Sequence, residues 1–192
     1  VQPKAITVSG LSASNKVYDG TTTAQVTGTP SITGGGSTSG DGKTLSGDTV
    51  SISGSAAGAF ANRHAGTGKS VTLSGLSVGG ADGGNYTISA GSVLADITPK
   101  ALTTSGLSVA SSKVYDGALA ATPVGTAALL AAQAAGAGNT SDGKPYTGDT
   151  VSVSGTATAT YDSALVALAT QVQFGGLSLS GANAGNYTLT QG

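Results

Sequence analysis

Cysteine, methionine and tryptophan are absent from the 192 residues, histidine occurs once, and charged residues make up only 9% of the chain. Without cysteine there are no disulfides and no thiolate metal sites. Secretion is not thereby excluded, because a β domain of sufficient size folds without covalent staples. The charges nearly cancel, leaving a formal net charge of -1. That balance offers no electrostatic footprint for nucleic acid or for an anionic membrane surface. No apolar run approaches the roughly 20 residues needed to cross a bilayer as a helix. No signal-peptide pattern opens the chain, and the start at Val1 reads as a cut from a longer protein.

What is abundant is glycine, with 32 residues, together with serine, threonine and alanine. Such a composition is common in flexible linkers. Short apolar alternations recur along the whole chain, however, and disordered segments lack them. The chain also repeats itself. KVYDG at Lys16–Gly20 returns at Lys113–Gly117. Pro3-Lys4-Ala5-Ile6-Thr7 returns as Pro99-Lys100-Ala101-Leu102-Thr103. Gly47-Asp48-Thr49-Val50-Ser51 returns as Gly148-Asp149-Thr150-Val151-Ser152, and Gly84-Asn85-Tyr86-Thr87 as Gly185-Asn186-Tyr187-Thr188. Order is kept and spacing drifts by a few residues. The period is too long for a solenoid turn and suits a sandwich domain. The boundary falls near Thr98-Pro99, which divides the chain into repeats 1–98 and 99–192.

Apolar residues alternate with serine and threonine at period two: Val50 and Ile52, Val71 and Leu73, Val93, Ala95 and Ile97, then Val151 and Val153, Val172 and Phe174. Strands buried on one face show this pattern. Asp-Gly pairs at Asp19, Asp41, Asp82, Asp116 and Asp142 punctuate the runs as turns. The expectation is an all-β chain of two tandem immunoglobulin-like antiparallel β-sandwiches. One stretch departs: AALLAAQAA at 127–135 has strong helix formers followed by Gly136, and predicts a short helix or a loop. After Tyr86-Thr87-Ile88 another strand follows, Ser92 to Thr98, whereas Tyr187-Thr188-Leu189 is followed only by Thr190, Gln191 and Gly192. The second repeat is therefore expected to lack its last strand and to leave an open edge.

Two motifs have a structural explanation. Asp82-Gly83-Gly84-Asn85-Tyr86 fits D-x-G-x-Y, and Asn183 replaces the aspartate before Gly185-Asn186-Tyr187. This spacing suggests a tyrosine corner, in which a buried ring sends its hydroxyl back to upstream backbone. In KVYDG, Tyr18 and Tyr115 are expected to pack inward, each in its own repeat. Asp19-Gly20 and Asp116-Gly117 would form a tight turn with glycine at positive φ.

Taken together, P-K-A-I/L-T, K-V-Y-D-G, S-G-D-T-V, S-G-L-S and G-N-Y-T resemble the YDG/MBG-type tandem repeat domains of bacterial secreted or surface adhesins of the filamentous haemagglutinin-like kind. The resemblance covers nearly the whole chain as two copies. It implies a structural stalk or spacer, secreted or at the bacterial cell surface, that displays a distal binding region and contributes to adhesion or biofilm formation. Its partners would be adjacent repeats of the parent adhesin, and a host or matrix glycan or protein, with no nucleic acid and no membrane insertion. It brings no catalytic residues and no cofactor.

Other chemistries have weaker support in the residues themselves. A Lys–Asn isopeptide bond would draw on Lys16 and Lys113, Asn85 and Asn186, with Asp19 and Asp116 as the required desolvated acids. The aspartates Asp41, Asp48, Asp82, Asp142 and Asp149 lie in glycine-rich turns, but they are scattered and read as turn formers rather than as a calcium site. His64 has no identifiable catalytic partner. Gly68-Lys69-Ser70 lacks the upstream glycine of a phosphate loop, since Arg63 occupies that position. Against the spacer stands a module that binds carbohydrate or a receptor through its loops, with Tyr146 as the surface aromatic.

Overall fold

A computed structural model of the chain describes residues 1–89 and 91–191. Strands account for nearly all of the regular structure, and the only helical pieces among the described residues are single 3-10 turns at Gly83–Asn85 and Ala184–Asn186. The chain forms two compact units: Val1–Lys16 with Thr22–Ile97, and Val17–Thr21 with the residues from Thr98 onward. Val17–Thr21 thus belongs to the second unit, although in sequence it lies inside the first repeat.

In the first unit, β1 (Lys4–Ala13) sits between β4 (Val26–Ile32) and β7 (Tyr86–Ser89). A second sheet runs β2-β8-β6-β5-β3, with β2 at Lys16–Val17, β3 at Thr23–Ala24, β5 at Ser51–Phe60, β6 at Gly66–Gly79 and β8 at Ser92–Thr98. The second unit repeats the plan. There β9 (Lys100–Val109) lies between β11 (Pro123–Leu129) and β14 (Tyr187–Thr190), and β12 (Ser152–Tyr161) lies between β10 (Ala120–Ala121) and β13 (Val172–Ser180).

The alternation read in the sequence positions the core. Ile6, Phe60, Val71, Ala95 and Ile97 are buried in the first unit, Leu102 and Ala159 in the second. On the outer face, serines form cross-strand pairs: Ser53 Oγ lies 2.9 Å from Ser77 Oγ, and Ser154 Oγ 2.9 Å from Ser178 Oγ. Such pairs let a sheet face water with few charges while still stitching neighbouring strands.

Pairing is not antiparallel throughout. Each unit contains a parallel pair, β1 with β7 (Lys4↔Tyr86) and β9 with β14 (Tyr187↔Lys100). The long hairpins β5–β6 and β12–β13 carry bulges between Gly54 and Ala57 and between Gly155 and Thr158. Gly54 and Gly75 approach each other there at φ 91° and 80°, and a Cβ on Gly54 would lie 2.3 Å from the Gly75 carbonyl oxygen. Only glycine permits both the conformation and the approach.

Of the short helix or loop expected at 127–135, the helix does not form. Its first residues belong to β11, where Ala128 pairs with Ser105 and Leu129 with Thr104. Further on, the Gln133 N–H donates to the Pro145 carbonyl at 2.9 Å, and the Thr147 N–H donates to the Gln133 carbonyl at 2.7 Å. Alanine's helix preference is a fraction of a kcal/mol per residue, about 0.7 at most over ordinary residues, and these strand partners outweigh it.

On the side away from β12, no strand among the described residues pairs with β13. The Gln191 side chain covers one point of that edge, its amide NH2 donating to the Leu177 carbonyl at 2.9 Å and its Oε1 accepting from the Leu177 N–H at 3.1 Å.

Candidate functional site: a tyrosine clamp in each unit

The G-N-Y-T motif starts a strand directly after a 3-10 turn, and this fixes each tyrosine at a strand entrance. Upstream, the turn is tied to the S-G-D-T-V segment. The Thr49 N–H donates to Asp82 Oδ2 at 2.8 Å, and the Asp82 N–H donates to the Thr49 carbonyl at 3.1 Å. In the second unit Asn183 substitutes without loss, accepting from the Thr150 N–H at 2.9 Å through Oδ1. The exchange keeps the acceptor and drops only the charge.

This tie brings the next two groups to the tyrosine. The Tyr86 hydroxyl donates to Asp48 Oδ2 at 2.5 Å and accepts from the Leu45 N–H at 2.9 Å. Tyr187 does the same with Asp149 Oδ2 at 2.5 Å and the Tyr146 N–H at 2.9 Å. The corner expected for these tyrosines therefore exists in altered form. Its backbone partner is an N–H rather than a carbonyl, because the hydroxyl gives its own proton to a carboxylate. That carboxylate, Asp48 or Asp149, has a role that turn chemistry alone does not suggest. Its signal was present in the sequence, since it is the fixed acid of a duplicated motif. The Tyr187 hydroxyl is pushed well above its ordinary pKa, first by burial and then by the Asp149 bond. Tyr86 is raised as well, chiefly by its bond to Asp48.

The lysine of P-K-A completes the arrangement. Lys100 is fully buried, pairs with Asp142 Oδ1 at 2.5 Å, and holds its ammonium 4.6 Å from the centroid of the Tyr146 ring. Burial alone would raise the Asp142 carboxyl. Lys100, the Lys144 N–H and Gln133 outweigh that and hold it well below the usual carboxylate range. Lys4 and Asp41 form the same pair at 2.5 Å in the first unit, where Lys4 is the main cause of a lowered Asp41.

Into the second clamp enters Tyr18. Its ring is fully buried and stands edge-on to Tyr187 at 5.3 Å and to Tyr146 at 5.8 Å between centroids. Its hydroxyl donates to Asp149 Oδ2 at 2.8 Å, and its N–H donates to the Thr98 carbonyl at 2.8 Å. Asp19 forms the expected turn, accepting from the Thr21 N–H at 2.8 Å, while its own carbonyl accepts from the Gly136 N–H at 2.7 Å. Gly20 sits at φ 77°, where an added Cβ would come within 2.8 Å of Ala135 Cβ.

The second copy of the motif makes the same turn in different surroundings. Asp116 Oδ1 accepts from the Ala118 N–H at 2.9 Å, and Gly117 takes φ 75° with nothing within 4 Å of where a Cβ would stand. Tyr115 does not pack inward; it is 60% exposed, and Val114 beside it is 89% exposed. The expectation that each tyrosine fills its own repeat is thus corrected on both counts. Tyr18 fills the second unit, and Tyr115 fills nothing among the described residues. Two identical pentapeptides carry no signal of this difference. Tyr146, read as a surface aromatic, is also corrected: it is 1% exposed, covered by Tyr18 and Lys100.

The remaining candidates have local roles. Lys113 Nζ donates to the carbonyls of Ala118 and Ala120 at 2.9 and 2.8 Å and pairs with Asp116 at 2.9 Å, and Lys16 Nζ donates to the Thr23 carbonyl at 2.9 Å. Asn85 and Asn186 close the 3-10 turns through their N–H groups, to the carbonyls of Asp82 and Asn183. Asp41 accepts from the N–H groups of Ser37, Thr38 and Lys43, as a turn-capping carboxylate does. Among the described residues no cluster of three or more His, Asp or Glu side chains is placed to hold a metal, and no helix is long and apolar enough to cross a membrane.

The YDG domain family model fits residues 2–93 and again residues 98–192. No curated protein and no solved structure matches the chain. The two clamps, the paired motifs that build them and the family model spanning almost every residue lead to one assignment: this chain belongs to the YDG domain family, as two consecutive copies.

Proposed function

We propose that the chain is a structural spacer of a large bacterial cell-surface adhesin, secreted or held at the surface, contributing to adhesion or biofilm formation by displaying a distal binding region. It carries no catalysis and binds no cofactor or nucleic acid. The observation that supports this reading is where the duplicated polar residues go. Lys100, Asp142, Asp149 and Tyr187, the kind of groups that build active sites, are bonded to one another or to backbone inside the second unit. Their counterparts Lys4, Asp41, Asp48 and Tyr86 are bonded likewise in the first. Groups committed to internal hydrogen bonds hold a fold in one arrangement. A spacer needs that and little else.

The test is a replacement in the parent protein. Exchanging both repeats for an unrelated β-sandwich pair of similar size should leave cell adhesion unchanged. A collapse of adhesion with surface display intact would overturn the spacer reading.

A second reading has its own observation. Tyr115 lies at a hollow of ≈ 340 Å³ lined also by Lys113, Asp116, Tyr161 and Val166. An exposed aromatic beside polar groups is the usual platform for a sugar ring. A glycan array probed with the intact chain separates the two, since a spacer gives no specific signal.

A further inference from the structure

A hollow of ≈ 230 Å³ opens in the first unit between its two sheets, apart from the clamp and from the hollow at Tyr115. Val8 and Leu11 of β1 and Ile88 of β7 line it from one sheet, Leu73 and Leu76 of β6 from the other. All five are half-buried, whereas Ile6 and Val71, two residues before Val8 and Leu73, are fully buried. Ser74 and Ser89, both exposed, stand at its mouth, and no lining residue is charged. The strand β6 is flanked on both sides here, by β5 and by β8.

Two glycines shape this hollow. Residues three apart on a regular strand point to opposite faces. Val8 and Leu11 nevertheless line the same space, as do Leu73 and Leu76. The reason is a change of phase along each strand. Burial follows Ile6 and Val8 before Gly10 but Leu11 and Ala13 after it, and Val71 and Leu73 before Gly75 but Leu76 and Val78 after it. Gly10 and Gly75 have φ of 82° and 80°, and the ladders β1–β4 and β5–β6 shift register beside them. A Cβ on either would meet a backbone carbonyl oxygen, that of Thr29 or of Ser55. Bulges of this kind re-aim side chains and recur beside functional sites. Here they turn aliphatic side chains of both sheets toward one gap, and protein interiors hold few such voids.

The second unit has a hollow of ≈ 260 Å³ at the corresponding place, lined by Thr103, Thr104, Ser105, Leu107, Phe174 and Thr190. By the alignment of the repeated motifs, Thr104 stands for Val8, Phe174 for Leu73 and Thr190 for Ser89. The aliphatic lining therefore belongs to the first unit and not to the repeat as such.

We propose that the hollow of the first unit binds the alkyl chain of a small uncharged amphiphile, whose polar end, a hydroxyl or an ester, lies at Ser74 and Ser89. Aliphatic walls without an aromatic ring or a charged group suit a chain, and the two hydroxyls at the mouth orient its end. An apolar cavity of ~150 Å³ takes benzene, so the space here accommodates about eight carbons. Removing the five half-exposed side chains and the chain from water together supplies the affinity. A spacer that holds an amphiphile is still a spacer, so this inference and the spacer reading fail independently.

The test is a titration of 1-octanol into the intact chain, with the methyl resonances followed in carbon–proton correlation spectra. Saturable shifts are expected at Val8, Leu11, Leu73, Leu76 and Ile88, and none at Leu107 or Leu189 of the second unit. Octanoate, with a chain of the same length and a charged end, should bind more weakly. Val8→Thr combined with Leu73→Phe gives the first unit residues that the second carries at the same positions, and should weaken octanol binding by at least tenfold. If the double variant does not fold, Val8→Thr alone carries the comparison. No shifts up to the solubility limit, or unsaturated shifts at exposed methyls of both units, would overturn the proposal. Undiminished binding by the folded variant would overturn it too, because the site would then lie elsewhere. Octanoate binding as tightly as octanol would overturn the assignment to an uncharged ligand.

Discussion

Tyr18 and Asp149 are 131 residues apart in sequence and joined by a 2.8 Å hydrogen bond. The bond ties a turn near the start of the chain into the core of the second unit. The same carboxylate oxygen also accepts from Tyr187, so one acid holds two phenols.

That arrangement makes the two identical pentapeptides unequal in energetic terms. Replacing Tyr18 by Ala should destabilise the second unit by about 3–5 kcal/mol, the usual cost of emptying a buried aromatic site. Tyr115→Ala in the same chain should change stability by no more than about 0.5 kcal/mol, as exposed positions do. Urea unfolding of the two variants measures the difference directly.

Tyr187→Phe keeps the ring and removes the hydroxyl. The Tyr146 N–H then loses its acceptor in a buried place, and a loss of about 1–3 kcal/mol is expected. An equal loss in Tyr187→Phe and in Tyr187→Ala would show that the hydroxyl alone matters and the ring packing does not. The expected order is a larger loss for Ala.

Alkali should unfold the second unit through its phenol. Tyr187 has a folded pKa raised above its unfolded value near 10. A raised value means that folding favours the protonated form, so its contribution is complete below about pH 10 and declines as pH rises beyond it. Circular dichroism and phenolate absorbance should therefore change together above that pH. In Tyr187→Phe the decline should be shallower.

Acid acts on the opposite group. Asp142 has a lowered folded pKa, so its contribution is complete above the unfolded value near 4 and is lost as pH falls toward the folded one. Asp142→Asn should flatten the stability profile below about pH 4 and lower stability at neutral pH, because it leaves the buried Lys100 ammonium without its counter-charge. Lys100→Met is the companion variant: it removes the charge itself and should be milder than Asp142→Asn.

Gly54→Ala should be among the most damaging single-methyl changes in the first unit. The new Cβ meets backbone at 2.3 Å, and the residue is held at φ 91°. A cost above about 1 kcal/mol follows from conformation alone. Gly84→Ala, where nothing lies within 4 Å, is the matched control and should cost far less in thermal unfolding of the two variants.

Much of the fold was legible because its signals are local. Period-two alternation placed β5, β6 and β8, and β12 and β13 as counterparts of the first two, and Asp-Gly pairs marked the turns. Residues 127–135 misled because helix propensity is a weak local preference, whereas the pairing of Ala128 with Ser105 is a tertiary fact. The clamp was half legible. Tyr86 and Tyr187 stood out by spacing, but the acid each one holds lies 38 residues earlier and is visible only as a repeated S-G-D-T-V or T-G-D-T-V segment. The fate of Tyr18 was not legible, since its environment comes from Tyr146 and Tyr187, far along the chain, and its own neighbours are shared with Tyr115.

The placement of Val17–Thr21 bears on how such chains can be cut and shuffled. A recombination point at the Thr98-Pro99 junction looks natural in the gene, yet it separates the second globule from an aromatic that fills its interior. Fragments chosen for expression, or modules exchanged between proteins, would stay whole if each carried the upstream pentapeptide with it as a grafted strap. Periodicity in the text and autonomy in the folded object are offset from each other.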